Sequence, residues 1–299
     1  MKILNYLFPI RMRKNFEKDF LWEGLEEIRV RIGQPVEFLY GDRSAWVGEE
    51  VIVSQDIQEM LNYISSYSLF AYREEMKQGF ITIEGGHRIG IAGQATLQEG
   101  KITGICPVGF LNIRVAHEKK GVAREIFPFL NSEEQICNVL ILSPPGCGKT
   151  TLLRDIVRGI SSGCYGGIGK KVGVVDERSE IAASYRGMPQ NDLGPRTDVL
   201  DGCPKRDGII LLLRAMSPQV IAVDELGTEE DFRAVGEALH CGCKVIATVH
   251  AETIAELGQK HMVRKWMGQG LFQRYVQIKK EQNGNRKLEV YGEKLERIC

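Results

Sequence analysis

The chain has 299 residues, which is enough for one large domain or for two of ordinary size. Its 39 Lys and Arg residues balance its 39 Asp and Glu residues, and a formal net charge of zero argues against nucleic acid as a partner. The eight cysteines include no C-x-x-C pair, so the sequence has no zinc or thiol-redox motif of that kind. Scattered thiols are typical of a reducing cytoplasm.

The N-terminal stretch from Ile3 to Ile10 is mostly apolar, and the basic residues Arg11 and Arg13 follow it. No apolar run in the chain approaches the ~18 residues of a membrane span. No small-residue cleavage site follows either, so we expect no signal peptide. The favoured interpretation is a core helix or strand with a basic flank. A weak contact with a membrane surface or a partner is the alternative.

The first half of the chain predicts a small α+β domain over residues 1–130. The sequence E-I-R-V-R-I alternates between polar and apolar residues, as a half-exposed strand does. Ser54 stands before apolar residues at helical spacing, which predicts a capped helix. The predicted elements are strands at 27–32, 35–40 and around Trp46, that helix, an aromatic cluster at 67–72, a hairpin over 80–95, a strand at 112–116 and a short helix at 121–130. The polar residues 131–135 are the predicted linker.

The second half, residues 136–299, alternates strands and helices, which predicts a mostly parallel sheet with helices on both faces. The predicted strands are 139–142, 171–176, 220–224, 244–250, 276–278 and 288–291, and the predicted helices are 152–160, 209–216, 229–240 and 254–266. Asn283-Gly284 predicts a hairpin turn. Residues 184–205 show no clear periodicity, and we expect an interface or substrate loop with Arg196 and Asp201 as its charged contacts.

The stretch NVLILSPPGCGKTTLLR, from Asn138 to Arg154, places a glycine-rich loop between a buried strand and a helix. Its backbone N–H groups and the helix N-terminus would surround an anion. Lys149 would reach the β- and γ-phosphates of a nucleotide, and the Thr150 hydroxyl would hold Mg²⁺. Ser143 replaces the first Gly of the usual G-x-x-x-x-G-K-[ST] pattern. The candidate nucleotide-binding residues are Ser143, Pro144, Pro145, Gly146, Cys147, Gly148, Lys149, Thr150 and Thr151. The alternative is an ordinary Gly-rich turn.

Two acidic pairs end predicted strands. Asp224 and Glu225 follow V-I-A-V, where Asp224 would meet Mg²⁺ and Glu225 would polarise the attacking water. Asp176 and Glu177 end a strand that we expect beside the strand of the glycine-rich loop. Ligands of open α/β sheets bind at the carboxyl ends of strands, so we expect both pairs to converge on the phosphates. A capping Asp and a solvated acidic turn are the respective alternatives.

A histidine, His250, closes the strand K-V-I-A-T-V-H at that same edge. It would sense the γ-phosphate, with Thr248 or Thr253 nearby. A lone histidine is more often structural, and that alternative stays open.

These motifs together resemble the stage III sporulation protein AA family of endospore-forming bacteria. The resemblance lies in LSPPGCGKTTLLRD, VGVVDERSEIA, RGMPQNDLGPRTDVLDGCPK, LLLRAMSPQVIAVDELG and ATVHA, and it extends through EIRVRIG, YSLFAYREEMKQGFITIEGGHRIGIAG and NIRVA. It covers most of the chain, except residues 1–25 and those after Tyr275.

That family is similar to the ATPases of type II and type IV secretion and of pilus assembly. The resemblance implies a RecA-like P-loop NTPase core with ATP and Mg²⁺ as ligands. Lys149 and Thr150 match the Walker A loop, His250 matches the histidine box, and the remaining matches fall in the acidic box and the Walker B segment: Asp176, Glu177, Glu180, Arg214, Asp224 and Glu225. The related ATPases usually have Gly where this chain has Asp224, which leaves the division of roles among the acids open.

The resemblance also implies a hexameric ring in the cytoplasm, peripheral to membrane proteins of a sporulation secretion-like complex. The related motors place arginines of their N-terminal domains against bound nucleotide, and Arg88 and Arg114 are the candidates here. Two other functions stay open: a nucleotide-gated structural switch with little turnover, and a RecA-like nucleic-acid motor. The neutral charge argues against the second.

Overall fold

The structure, a computed structural model, describes residues 2–17, 19–65, 79–132, 135–259, 261–281 and 285–299. They form two compact units, residues 1–117 and 118–299. The aromatic cluster predicted at 67–72 and the predicted Asn283-Gly284 turn lie outside the described residues. Within the described ranges, no helix has the length and apolar character needed to cross a bilayer.

The first unit is built on an antiparallel sheet with the strand order β3-β2-β1-β6-β5-β4. Its strands are β1 (Glu27–Arg31), β2 (Val36–Tyr40), β3 (Arg43–Val47), β4 (Phe80–Thr82), β5 (Arg88–Gln98) and β6 (Lys101–Arg114). Its helices are α1 (Lys2–Asn5), α2 (Ile10–Arg13) and α3 (Ser54–Ile64), with short 3₁₀ turns at Lys14–Phe16 and Asp19–Trp22. The strand predicted at 112–116 is therefore the end of a longer strand, β6.

The alternating pattern of the first half produces a sheet with one buried face. In β1, Ile28 and Val30 are buried, while Glu27 and the two arginines are partly exposed. Helix α3 buries one side of its surface against this unit. Its N-cap is Val53 rather than the predicted Ser54, because the Asp56 carboxylate accepts the N–H of Val53 at 2.8 Å.

The apolar N-terminal stretch belongs to the core of the first unit. Leu4, Phe8 and Met12 are fully buried. The ring of Phe8 packs on that of Phe16 with 4.3 Å between centroids, and Phe16 stacks on Phe38 of β2. These contacts agree with the favoured interpretation of a core segment with a basic flank.

The second unit contains a seven-stranded sheet with the order β11-β10-β12-β13-β9-β14-β15. Its strands, together with the separate pair β7–β8, are β7 (Asn131–Ser132), β8 (Gln135–Ile136), β9 (Val139–Ser143), β10 (Val172–Asp176), β11 (Thr197–Asp201), β12 (Val220–Val223), β13 (Lys244–His250), β14 (Arg274–Lys280) and β15 (Arg286–Tyr291). Its helices are α4 (Lys149–Ser162), α5 (Lys205–Met216), α6 (Glu229–His240), α7 (Ile254–Gln259) and α8 (His261–Met267). Six neighbouring strands of this sheet are parallel: β11, β10, β12, β13, β9 and β14. Strand β15, at the edge, is antiparallel to β14.

Both faces of this sheet are covered, as the continuous apolar strands predict. Alternate residues of β9 enter two different cores. Val139 and Ile141 pack with the apolar side of α4, and Leu140 and Leu142 pack with α5, α6 and α7. The mostly parallel, doubly covered α/β sheet predicted for the second half is confirmed. The helix predicted over 254–266 is two helices, α7 and α8.

The boundary between the units lies earlier in the chain than the predicted linker at 131–135. Residues 118–130 pack with the second unit, where Ala123 and Phe127 are buried in the core that contains α4. The buried Asp155 of α4 accepts the backbone N–H groups of Gly121 at 3.1 Å and Ala123 at 2.8 Å. The helix predicted at 121–130 is a run of turns that ends in a 3₁₀ turn, because these turns supply N–H groups to Asp155.

The strand that ends at Asp176 does not neighbour the strand of the glycine-rich loop. Strand β10 pairs with β11 and β12, whereas β9 pairs with β13 and β14. Two strands, β12 and β13, therefore separate β10 from β9, and the predicted adjacency is wrong. After each helix, the next parallel strand can be added on either side of the strands already present. The apolar pattern of a single strand does not indicate which side, so strand order cannot be inferred from it.

The segment 184–205, predicted as an irregular loop, contains the edge strand β11. Every residue of β11 is only half-buried, so its sequence carries no strong apolar alternation. The guanidinium of Arg196 donates to the carbonyl of Ser161 at 3.1 Å, and Asp201 accepts from the Ser179 hydroxyl at 2.8 Å. Both side chains make contacts within the unit, and the predicted interface or substrate role of the segment stays a prediction.

Candidate functional site

The glycine-rich loop connects the fully buried strand β9 to helix α4. Gly146 has a φ of 71° and Gly148 a φ of 96°, which are left-handed conformations that favour glycine. Ser143, which stands where the usual motif has Gly, is buried at the end of β9, and its hydroxyl donates to the Pro144 carbonyl at 2.7 Å. Its place at a strand end explains why glycine is not required there. Pro145 lies exposed beyond this turn.

Lys149 is the first residue of α4, and its side chain is buried. Its ammonium group donates to the carbonyl of Ser143 at 3.2 Å and to that of Pro144 at 3.4 Å. The third donor lies 3.0 Å from Nδ1 of His250. Burial lowers the pKa of Lys149, and the nearby Asp224 and Glu225 oppose that shift.

Asp224, which follows β12, is bound by two threonine hydroxyls. The Thr150 hydroxyl donates to one carboxylate oxygen of Asp224 at 2.6 Å. The Thr248 hydroxyl of β13 donates to the other oxygen. The same Thr248 oxygen accepts the backbone N–H of Glu225 at 2.8 Å. Thr248 therefore fixes the positions of both acids.

Glu225 adopts a φ of 50°, which is uncommon for a residue with a side chain and typical of functional turns. Its carboxylate is bound at both oxygens. Oε1 lies 2.7 Å from Nε2 of His250, and Oε2 accepts from the Arg178 guanidinium at 2.7 Å. The side chain of Arg178 is 66% exposed, so this ion pair lies at the surface and is weaker than a buried pair.

His250, at the end of β13, connects Lys149 to Glu225. An ammonium group can only donate, so Nδ1 of His250 accepts from Lys149. The proton of the neutral ring then sits on Nε2 and is donated to Glu225. Because β12, β13 and β9 are neighbours in the sheet, their carboxyl ends bring these side chains together.

The acidic box is placed differently from Asp224 and Glu225. The buried carboxylate of Asp176 accepts the backbone N–H groups of Glu180, Ile181 and Ala182 at 2.8 to 3.0 Å. Burial raises the pKa of Asp176 to about 6, against the effect of these hydrogen bonds. Asp176 thus organises the loop that follows it.

Glu177 forms an ion pair with Lys205, at the start of α5. The structure brings Asp224, Glu225 and His250 together with Lys149 and Thr150, and their convergence on nucleotide phosphates stays a prediction. Among the described residues, neither Asp176 nor Glu177 has a hydrogen bond to Lys149, Thr150 or Asp224.

The acidic loop nevertheless contacts α4 through an arginine that the sequence analysis missed. Nε of Arg154 donates to the Ile181 carbonyl at 2.8 Å, and Nη2 donates to the Glu180 carbonyl at 2.9 Å. Arg178, the ion-pair partner of Glu225, was also missed. Its position next to Asp176-Glu177 in the sequence was a usable signal, since a cation beside an acidic box is placed to meet a carboxylate.

The two candidate arginines of the first unit lie directly opposite each other on β5 and β6. The guanidinium of Arg88 lies 4.3 Å from the centre of the Phe80 ring. Arg114 is largely exposed, and its Nε lies 3.5 Å from the Glu27 carboxylate. Their predicted approach to nucleotide stays a prediction. Arg214 lies exposed in the last turn of α5.

Comparison with known proteins decides the family. The family model described as "Sporulation stage III, protein AA" matches residues 2–298. The chain belongs to this family. It is 38% identical over 270 residues to the stage III sporulation protein AA of Bacillus subtilis (strain 168), a match that covers 90% of this chain and 87% of that protein.

Solved structures of ATPases share the fold of this member of the stage III sporulation protein AA family. The ATPase DotB of Legionella pneumophila has a TM-score of 0.62 at 18% identity, over 95% of this chain and 81% of its own. The pilus retraction motor PilT, solved with ADP, has a TM-score of 0.58 at 13% identity, over 89% of this chain and 78% of its own. The chain therefore has the fold of these ATPases, with a RecA-like α/β core and an N-terminal α+β domain, as the sequence predicts.

Proposed function

We propose that this protein hydrolyses ATP and uses the energy to power a secretion-like complex between mother cell and forespore. The observation that carries the proposal is the cluster of Lys149, Thr150, Asp224, Glu225 and His250, which joins three neighbouring strand ends through hydrogen bonds. Family membership supports the place in sporulation, and the fold shared with DotB and PilT supports the motor class.

Each residue has a chemical role in this proposal. The ammonium of Lys149 turns from the loop carbonyls to the β- and γ-phosphates, and the loop N–H groups and the α4 N-terminus hold the same anion. Glu225 orients a water molecule whose oxygen forms a bond to the γ-phosphorus. The bond from that phosphorus to the β–γ bridging oxygen breaks, which gives ADP and inorganic phosphate. His250 senses the γ-phosphate and transmits this signal to Glu225 through the hydrogen bond between them. Asp176 and Glu177 hold the adjoining loop.

The residues present fit a Mg²⁺ ion. The Thr150 hydroxyl and the Asp224 carboxylate are oxygen donors 2.6 Å apart at the start of α4, and such donors suit Mg²⁺. We propose that these two side chains hold the ion, Asp224 through water. The ion would neutralise charge on the phosphates.

The proposal includes a homo-oligomeric ring, a hexamer, in the cytoplasm and bound to membrane proteins of the sporulation complex. This part rests on the likeness to ATPases of secretion and pilus retraction. The mass of the protein in solution, measured with and without ATP and Mg²⁺, tests it. A nucleotide-dependent rise to six copies is expected, and a monomer under both conditions contradicts the ring.

The test of hydrolysis is the Lys149→Ala variant. It removes the ammonium that anchors the phosphates, so phosphate release from ATP should be abolished while the circular dichroism stays that of the wild type. Lys119→Ala, which removes an exposed lysine of the same unit, is the control and should hydrolyse normally. Wild-type turnover in Lys149→Ala contradicts the phosphate-loop assignment.

One observation favours a second function, a nucleotide-gated switch with little turnover. Both oxygens of Glu225 are bound, by His250 and by Arg178, so orienting a water requires a change of partners. Under this alternative, wild-type protein retains intact ATP for many minutes after excess nucleotide is removed. Conversion of the bound ATP to ADP within that time supports the motor instead.

A further inference from the structure

A cavity of about 830 Å³ adjoins the glycine-rich loop. It lies on the side of α4 away from β12, the strand that precedes Asp224. One wall is the start of α4, with Gly148, Thr151 and Leu152. The opposite wall is the strand pair β14–β15, with Ile278 and Leu288. The sequence analysis gave no function to the residues after Tyr275, so this wall is new to the site.

The β14–β15 wall faces α4 because of strand alternation. Ile278 and Leu288 are directly paired, as are Val276 and Val290 two residues along. Val276, Ile278 and Val290 are buried in the same core as the apolar side of α4. The cavity lies next to this core, where none of the described side chains fills the space. The residues at its base are therefore apolar.

A third wall contains Val122, which belongs to the segment that precedes the sheet. This segment is held in place by the buried Asp155, which accepts the N–H groups on either side of Val122, those of Gly121 and Ala123. The Tyr165 hydroxyl and the Arg158 guanidinium also donate to Asp155. The wall is therefore attached to α4 itself, the helix that follows the glycine-rich loop.

Arg286 lies where the glycine-rich loop meets the cavity. It is on the same face of β15 as Leu288 and Val290, which turns it toward α4. A Cβ built on Gly148 would lie 2.6 Å from Nη1 of Arg286, so the guanidinium packs directly on the Gly148 backbone. A planar cation with several N–H donors at this position suits a phosphate group.

We propose that this cavity binds the nucleoside of the nucleotide whose phosphates occupy the glycine-rich loop. Leu152, Ile278 and Leu288 contact the base, and Arg286 binds the phosphate nearest the nucleoside. The volume lies in the range of about 300–1,000 Å³ that is usual for ligand pockets, and an apolar floor with a polar rim suits an aromatic base. The inference rests on the proposed function. It adds a binding site for the nucleoside, which the glycine-rich loop does not contact.

The test compares ATP with inorganic tripolyphosphate, both with Mg²⁺, by isothermal titration calorimetry on the full chain. Leu288→Trp and Val122→Trp fill the cavity from opposite walls. Each should weaken ATP binding by about tenfold or more and leave tripolyphosphate binding within about twofold of the wild type. Both side chains also border the core, so unchanged tripolyphosphate binding in each variant is the evidence that the glycine-rich loop and its surroundings remain folded.

Arg286→Ala should weaken both ligands by about tenfold, because it removes a phosphate contact. Lys280→Ala is its matched control. It removes an exposed cation from the residue paired with Arg286, outside the cavity wall, and should bind both ligands as the wild type does.

Selective loss of ATP binding in both tryptophan variants supports the nucleoside site. Unchanged ATP binding in both, or equal loss of ATP and tripolyphosphate, overturns it and leaves the proposed function standing. Wild-type protein that binds ATP no more tightly than tripolyphosphate also overturns it. Wild-type protein that binds neither ligand contradicts the proposed function itself.

Discussion

Nε2 of His250 lies 2.7 Å from the carboxylate of Glu225, and the other nitrogen of the same ring lies 3.0 Å from the ammonium of Lys149. The lysine that would bind phosphate and the acid that would orient water therefore share one imidazole. Under the proposed function, a change of partner at Lys149 would alter the ring nitrogen that faces it, and the opposite nitrogen would transmit that change to Glu225.

The first prediction separates binding from chemistry at Glu225. Glu225→Gln keeps the size of the side chain and one acceptor oxygen but removes the charge that orients water. We expect ATP to bind with near wild-type affinity and the rate of phosphate release to fall by about 10²-fold or more. Nucleotide binding and steady-state release are measured on the same preparation. Normal hydrolysis in this variant would transfer the catalytic role to Asp176 or Glu177.

The second prediction concerns Thr248, whose hydroxyl joins Asp224 to the backbone of Glu225. Thr248→Val has nearly the same shape and removes both hydrogen bonds. The free energy of unfolding should fall by about 1–3 kcal/mol, because buried polar groups lose their partner. The Mg²⁺ concentration for half-maximal hydrolysis should rise, since Asp224 is no longer held.

The matched control for Thr248 is Thr253→Val, which removes a hydroxyl that accepts the N–H of Glu256 at the start of α7. Its effect should be confined to stability. An unchanged Mg²⁺ dependence in Thr248→Val would show that Thr248 does not position Asp224 for the ion.

The third prediction concerns Arg88 and Arg114 of the first unit. The γ-phosphate gathers negative charge during transfer, and a positioned arginine can be worth ~10³-fold or more in rate. Arg88→Ala and Arg114→Ala should cut turnover steeply while nucleotide affinity falls only modestly.

Arg29→Ala is the control for these two variants. Arg29 lies on β1, the strand next to β6, and forms an ion pair with Glu27 of the same strand. It should hydrolyse ATP normally. Full activity in both Arg88→Ala and Arg114→Ala would make the first unit a partner-docking module instead.

The fourth prediction is a pH dependence of stability from Asp176. Burial raises its pKa to about 6 in the folded protein, whereas an unfolded chain has an Asp pKa of about 3.9. Between these values the folded state binds more protons than the unfolded state, so the free energy of unfolding falls as the pH rises. The difference of about two pKa units corresponds to roughly 3 kcal/mol.

Asp176→Asn cannot titrate and therefore lacks this component. Urea titrations from pH 4 to pH 7 should show the wild type losing stability relative to Asp176→Asn as the pH rises. Asp207→Asn, at an exposed aspartate of α5, should follow the wild type. A difference between the wild type and Asp176→Asn that stays constant with pH would contradict a buried, partly protonated Asp176.

The sequence by itself determined the parts of the site that lie close together along the chain. Strand, glycine-rich loop, Lys149-Thr150 and helix are contiguous, so their local pattern defines both the structure and the chemistry. The ends of β12 and β13, and with them Asp224, Glu225 and His250, were predicted because a strand that is buried on both faces has an unmistakable apolar run.

Only the tertiary structure decided which strands are neighbours and which distant side chains meet. Two strands separate Asp176 from the glycine-rich loop, although its local pattern matches that of Asp224. Arg178 reaches Glu225 across 47 residues, and Arg286 meets Gly148 from the opposite end of the unit. Local composition determines secondary structure through short-range sterics and burial, but strand order and long-range ion pairs follow from how the whole unit packs.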